Sequence, residues 1–268
     1  MFAYVFLVRA LAVGLLVSLC AALLGVSLVL KRYSMIGDGL SHVAFFALAL
    51  ATALHAAPLP VAVPVVVLAA CLLLRLSERS KIKGDAAIAL ISTGALAVGV
   101  IIISKSTGMN TDVCNYLFGS ILAMRVSDVI LSVILSVMVL VLFVLFYNKI
   151  FAITFDEGFA RASGVNTNGY NLLIAMLTAL TIVLGMRMMG ALLITGLIIF
   201  PALSSMRVCK RFGRVVVCSA VVSVLCFFLG VVASYVFSIP TGACVVAVNI
   251  VAFLVFSFAG VLKESLEL

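Results

Sequence analysis

The sequence predicts an all-α protein: a polytopic transmembrane helical bundle of about nine spans, with eight as the stricter count. Three observations predict it. The 268 residues are 66% hydrophobic and only 10% charged, with a mean hydropathy of +1.43. A soluble domain of this size has too little interior to hide that much apolar surface. The apolar residues gather into runs of the roughly 20 residues that a helix needs to cross the hydrocarbon. The basic residues fall between those runs, on alternate sides.

Candidate spans lie at about 5–30, 38–55, 59–76, 86–104, 128–147, 170–187, 190–206, 214–237 and 243–262. The second and seventh are short. The stretch 170–206 also reads as one kinked unit, which gives the count of eight. The first run is too long, and too continuous with the next, for a cleaved signal peptide. No polar linker divides the chain, so 1–268 is read as a single transmembrane domain.

Orientation follows from the charges. Lys31, Arg32, Arg75, Arg79, Lys81, Lys83, Lys149, Arg161, Arg207, Lys210, Arg211, Arg214 and Lys263 fall on one side, against Arg9, Lys105, Arg125 and Arg187 on the other. The positive-inside rule places the larger set in the cytoplasm, with the N-terminus outside and the C-terminus inside. The net charge of +8 therefore reads as membrane topology, and no nucleic-acid partner is expected. The cysteines include no Cys-x-x-Cys and no spacing of a zinc ligand set. Most lie inside apolar runs, where a thiol acts as a small hydrophobe.

Two connections are longer than a turn. Residues 105–127 contain an apolar piece, 115–122, that is too short to cross; it reads as a half-helix or a cap over the outer mouth. Residues 148–169 contain Asp156-Glu157-Gly158-Phe159-Ala160-Arg161-Ala162-Ser163-Gly164. Acid at the start and glycine at the close are the signals of a short capped helix. On the basic side it is either a docking knob for a cytosolic partner or an ordinary connector.

Chemistry-bearing residues inside the spans are few. Of the acids, only Asp38 belongs to a mainly apolar span, and His42 follows it by four residues. Four residues on, a helix returns to the same face about 6 Å further along. A carboxylate and an imidazole form a borderline ligand set, suited to Zn²⁺, Mn²⁺ or Fe²⁺. Two ligands are too few for a tight structural site and suit a pathway, where the ion must also leave. The other reading has Asp38 capping the helix and His42 hydrogen-bonding a neighbouring span. Asn249, in the last span, reads as an interhelical hydrogen-bonding group, and Pro201 as a residue that kinks its span or frees backbone carbonyls.

No Gly-x-x-x-x-Gly-Lys-Ser/Thr occurs, so any ATP would be handled by another polypeptide. His-Glu-x-x-His and Gly-x-Ser-x-Gly are also absent, and a transport subunit is expected rather than an enzyme. The alternatives within transport are an ATP-independent metal transporter and a permease for bulky siderophores or cobalamin.

Five stretches in order resemble the integral membrane permease of bacterial zinc/manganese-type ABC importers. They are Lys31 to His42, with Gly37-Asp38-Gly39-Leu40-Ser41-His42 at its end; Tyr116-Leu117-Phe118-Gly119-Ser120-Ile121-Leu122; Asp156 to Gly164; Gly190-Ala191-Leu192-Leu193 through Pro201-Ala202; and Ile239-Pro240-Thr241-Gly242. The resemblance implies a homodimer in the bacterial cell membrane, two cytosolic ATP-binding subunits and an external metal-binding protein. It implies no permanently bound cofactor, only a transported divalent ion. It places Asp38 and His42 on the metal pathway, and Asp156, Glu157, Phe159, Ala160, Arg161 and Gly164 at the ATPase. Where the family often continues into Leu-Pro-Gly, this chain has Val43-Ala44-Phe45-Phe46-Ala47, so its helix is expected to run straighter past His42.

Overall fold

A computed structural model describes residues 5–79, 84–106 and 126–267. The described residues form eleven helices and no strand: α1 (Val5–Leu30), α2 (Ile36–Ala53), α3 (Pro58–Arg79), α4 (Gly84–Ser106), α5 (Val126–Leu145), α6 (Tyr147–Phe155), α7 (Glu157–Ala162), α8 (Thr167–Met189), α9 (Ala191–Val208), α10 (Phe212–Phe237) and α11 (Thr241–Glu267). The 115–122 segment, with the Tyr116 to Leu122 stretch inside it, lies outside the described residues.

Eight of these helices are long and apolar enough to cross a membrane. α9 adds a shorter apolar stretch, Leu193–Val208. The ambiguity at 170–206 resolves into two helices that break at Gly190, where φ is 87°. That left-handed backbone is open to glycine and costly for side chains with a Cβ. The chain doubles back there. Gly185 has no side chain, and Ile194 of α9 occupies the space a Cβ would take.

Lengths set by apolar content are sorted into inside and outside by packing. In α1 and α8, 72% of the span is buried within the protein, in α2 67%, but in α4 only 22% and in α11 17%. The first three therefore form the centre, while α4 and α11 present apolar surface outward, as lipid-facing helices do. α1 packs against α5, α8, α9 and α10, and α2 against α3, α4, α8 and α9. Small polar residues fasten the centre. Ser223 Oγ donates to the Ser18 carbonyl at 2.9 Å, Ser219 Oγ to the Ala22 carbonyl at 3.3 Å, and Cys20 Sγ to the Ser136 carbonyl at 3.5 Å. In lipid such bonds hold helices together where the hydrophobic effect does not.

Other hydroxyls turn back on their own helix. Thr178, Thr181, Ser204 and Ser205 each donate to the carbonyl four residues earlier, which lets polar side chains sit in apolar surroundings. Asn249 does the same, and here the sequence expectation is corrected. Its Nδ2 donates to the Val245 carbonyl of its own helix at 2.8 Å, while its buried Oδ1 has no partner among the described residues. Pro201 lies inside α9, which continues to Val208.

Candidate functional site

α2 begins after a tight turn. Arg32 takes a left-handed φ of 61°, the Tyr33 amide donates to the Leu28 carbonyl at 2.8 Å, and the Ile36 amide to the Tyr33 carbonyl at 3.0 Å. The helix then runs unbroken from Ile36 to Ala53, through the stretch where the resembled family often has proline. Its buried face includes Gly37, Gly39, Leu40, Val43 and Ala44. Asp38, His42, Phe46 and Leu50, spaced by four, are only half-buried. They form a stripe that its own chain leaves partly uncovered.

Asp38 sits in the first turn, where the helix dipole favours a negative charge. It does not cap the helix: the N-cap position is Met35, with no side-chain cap bond. The Asp38 side chain is 42% exposed and that of His42 22%. Asp38 Oδ2 and His42 Nε2 are 3.7 Å apart, beyond hydrogen-bond range. The other ring nitrogen, His42 Nδ1, is buried with no hydrogen-bond partner among the described residues. The alternative of an imidazole bonded to a neighbouring span therefore finds no such bond.

Asp38 opens onto a cavity of about 250 Å³ lined also by Thr195, Gly196, Ile199, Phe200 and Val246. Its walls come from α2, α9 and α11, and they are apolar apart from the carboxylate and one hydroxyl. The Thr195 hydroxyl bonds back to the Ala191 carbonyl at 3.3 Å. The Asp38 carboxylate is thus the charged group in this lining.

The second candidate region is α7. Asp156 is its N-cap, its Oδ1 accepting the Phe159 amide at 2.8 Å. At the other end the Gly164 amide donates to the Arg161 carbonyl at 3.1 Å, and the Val165 amide to the Ala160 carbonyl at 3.0 Å. That bond pair is a Schellman closure, and it needs the left-handed residue; Gly164 has a φ of 83°. Glu157 pairs with Arg161 at 3.2 Å. Phe159 is 70% exposed, an apolar ring displayed on the basic side. Ala160 is different: at 1% exposure it packs inward and anchors the helix. The resemblance groups Ala160 with the residues at the ATPase; in this structure its side chain faces into the helical bundle.

Gly164→Ala tests the closure. No atom lies within 4 Å of the added Cβ, so the cost is that of the backbone alone, about 1–2 kcal/mol. The expected outcome is a locally loosened α7, read as faster amide exchange at Gly164 and Val165 with the global melting temperature little changed.

The described cysteines are all free thiols. At Cys209, between α9 and α10, burial raises the thiol above its ordinary range and the neighbouring Cys218 adds to the effect. It therefore stays protonated at neutral pH, a poor metal ligand and a poor nucleophile.

The sequence pattern of the ABC 3 transport family matches residues 3–260. The chain belongs to that family. The manganese transport system membrane protein MntC of Listeria monocytogenes is 28% identical over 257 residues, covering 96% of this chain and 91% of MntC. The high-affinity zinc uptake system membrane protein ZnuB of Haemophilus influenzae is 30% identical over 249 residues, covering 93% of this chain and 95% of ZnuB. Among solved structures, PsaBC from Streptococcus pneumoniae in complex with Fab matches with a TM-score of 0.84 at 28% identity, over 94% of this chain and 91% of that one. As a member of the ABC 3 transport family, this chain is a multi-pass membrane transport subunit rather than a catalytic enzyme.

Proposed function

We propose that this ABC 3 family chain is the permease of an ATP-driven importer of divalent transition-metal ions, Zn²⁺ or Mn²⁺ and by ligand chemistry also Fe²⁺. It works as a homodimer in the bacterial cell membrane, N-terminus outside and C-terminus in the cytoplasm. Two cytosolic ATP-binding subunits and an external metal-binding protein complete the system.

The observation that carries this reading is the Asp38–His42 pair, of which Asp38 lines the cavity. Two ligands about 2.0–2.1 Å from one tetrahedral ion lie roughly 3.4 Å apart. The 3.7 Å between Oδ2 and Nε2 is close to that and too long for the two groups to satisfy each other. A buried, unbonded ring nitrogen costs about 1–3 kcal/mol, and a ring turn toward an ion would bring Nδ1 into use. Two ligands from one chain bind an ion weakly enough to release it, and a second copy across a two-fold axis would supply two more. The bulky chelates of the siderophore and cobalamin reading need no such cation-binding pair in the wall.

Asp156, Glu157, Phe159, Arg161 and Gly164 then form the docking knob for the ATP-binding subunit. Phe159 fills a partner pocket, Asp156 and Gly164 hold the helix ends, and Ala160 fixes the knob to the permease from beneath.

The test is reconstitution. The chain, purified with its co-expressed ATP-binding subunit and placed in liposomes, is expected to take up ⁶⁵Zn²⁺ or ⁵⁴Mn²⁺ from added metal-binding protein only when ATP is hydrolysed. Uptake of the same size without nucleotide would assign it to ATP-independent transport instead.

A further inference from the structure

Among the described residues, Lys31 is the most enclosed cation on the basic side outside the roles assigned above. Its side chain is 10% exposed, a degree of burial that lysine rarely shows without partners. It donates to Asn171 Oδ1, near the head of α8. Its Nζ also lies 3.9 Å from Glu157 of α7. Glu157 in turn holds Arg161 at 3.2 Å, and Arg161 donates to the Thr167 hydroxyl at 3.1 and 3.2 Å. Thr167 opens α8 and is buried. One lysine thus joins the knob, the head of α8 and the turn between α1 and α2.

On its other side, Lys31 is coupled to the helix of the Asp38–His42 pair by a stiff connection. The 31–35 turn is braced by its own backbone bonds, with Lys31 donating to the Ser27 carbonyl at 3.0 Å, Tyr33 to Leu28 and Ile36 to Tyr33. A braced turn transmits displacement where a slack loop would absorb it. Asp38 stands in the first turn of the helix that follows. The contacts of Lys31 with Asn171 and with Glu157 differ in kind. The bond to Asn171 is close, and the contact with Glu157 is at the outer edge of an ion pair, against a carboxylate side chain that is 41% exposed. A small shift of α7 makes or breaks the second while the first keeps Lys31 in place.

We propose that Lys31 is a positioning residue that passes movement of α7 to the Asp38/His42 pair, so that ATP hydrolysis in the subunit docked on the knob changes the geometry of the two ligands. This rests on the reading of α7 as the docking helix. Asn171 is the second member of the device, holding the ammonium at the junction.

The experiment uses the full complex with its ATP-binding subunit in liposomes, loaded with Zn²⁺ through the metal-binding protein. It measures ATP hydrolysed and metal transported together. Lys31→Met and Asn171→Ala are expected to leave subunit association and basal hydrolysis unchanged. Metal moved per ATP is expected to fall about tenfold, the scale of a coupling free energy carried by one contact. Lys31→Arg keeps the charge and is expected to restore most of the ratio, and the Lys31→Met/Asn171→Ala double variant to fall no further than the lower single. Lys31→Gln carries the same test should the methionine variant not assemble. A normal ratio in Lys31→Met or Lys31→Gln overturns the inference and leaves the transport reading standing. So does a loss of association that accounts for the whole fall, since Lys31 would then serve assembly. A wild-type complex without ATP-driven uptake brings down the transport reading, and this inference with it.

Discussion

Asp38→Ala and His42→Ala are each expected to reduce ATP-driven metal uptake to the background of empty liposomes, with the chain still inserted and still bound to its ATP-binding subunit. The size of the effect follows from how few ligands there are. At about 4 Å and an effective dielectric near 20, one pair of unit charges is worth about 4 kcal/mol, and a divalent ion gains more. Losing that attraction in Asp38→Ala weakens ion binding by roughly a thousandfold or more, while His42→Ala removes a neutral imidazole ligand. Asp38→Asn separates charge from shape: it keeps the volume and a carbonyl oxygen, loses the charge, and is expected to be nearly as inactive. The fold is expected to survive because the pair does little for stability. The two side chains are 3.7 Å apart, too far for a hydrogen bond, and Asp38 leaves its N-cap neighbour Met35 without a cap bond. Uptake at the wild-type rate in either alanine variant would remove the pair from the pathway.

Gly25→Ala is expected to have the largest effect on stability. A Cβ built on Gly25 would lie 2.0 Å from the carbonyl oxygen of Ile198 and 2.9 Å from its carbonyl carbon. Both atoms are backbone, so no side-chain rotation relieves the clash and α1 must part from α9. α1 has little room to move. Ser223 and Ser219 of α10 bond to its carbonyls, and its Cys20 bonds to α5. The expected cost is about 3 kcal/mol, the upper end for overpacking a close contact. It is read as a lower melting temperature in detergent and less folded chain in the membrane. The damage also reaches the cavity, because Ile199, the next residue of α9, lines it beside Asp38. Gly94→Ala is the control. It lies in α4 with no atom within 4 Å of the added Cβ, and alanine is the better helix former by up to about 1 kcal/mol. A Gly25→Ala variant as stable as the Gly94→Ala control would mean that the two helices sit further apart than described.

Several features of the site were legible one residue at a time. A lone acid in an apolar run has few tolerable places, so Asp38 and the histidine one turn on could be picked out without coordinates. The ends of α7 were legible for a similar reason: Asp156 as a cap and Gly164 as a left-handed terminus are local events, decided by neighbours within a few positions. The inward packing of Ala160 was not, and neither was the choice of Asn249 to bond its own helix. Each depends on which helix lies opposite, and apolar residues facing lipid look the same in sequence as apolar residues facing another helix.

By itself, the sequence determined that this is a bundle of membrane-crossing helices, where the crossing helices lie to within a few residues, and that Asp38 and His42 share one face of the second. Those outcomes follow from transfer free energies and backbone bonding, which act within one segment. The tertiary structure decided that α1, α2 and α8 form the centre, that α8 and α9 part at Gly190, and that α9 and α11 wall the cavity beside Asp38. It also brought Lys31 up to Glu157 and Asn171, which lie far along the chain from it. Contacts of that kind are set by which small residues let two backbones approach, as Gly25 does for Ile198, and no local pattern in the chain encodes the partner.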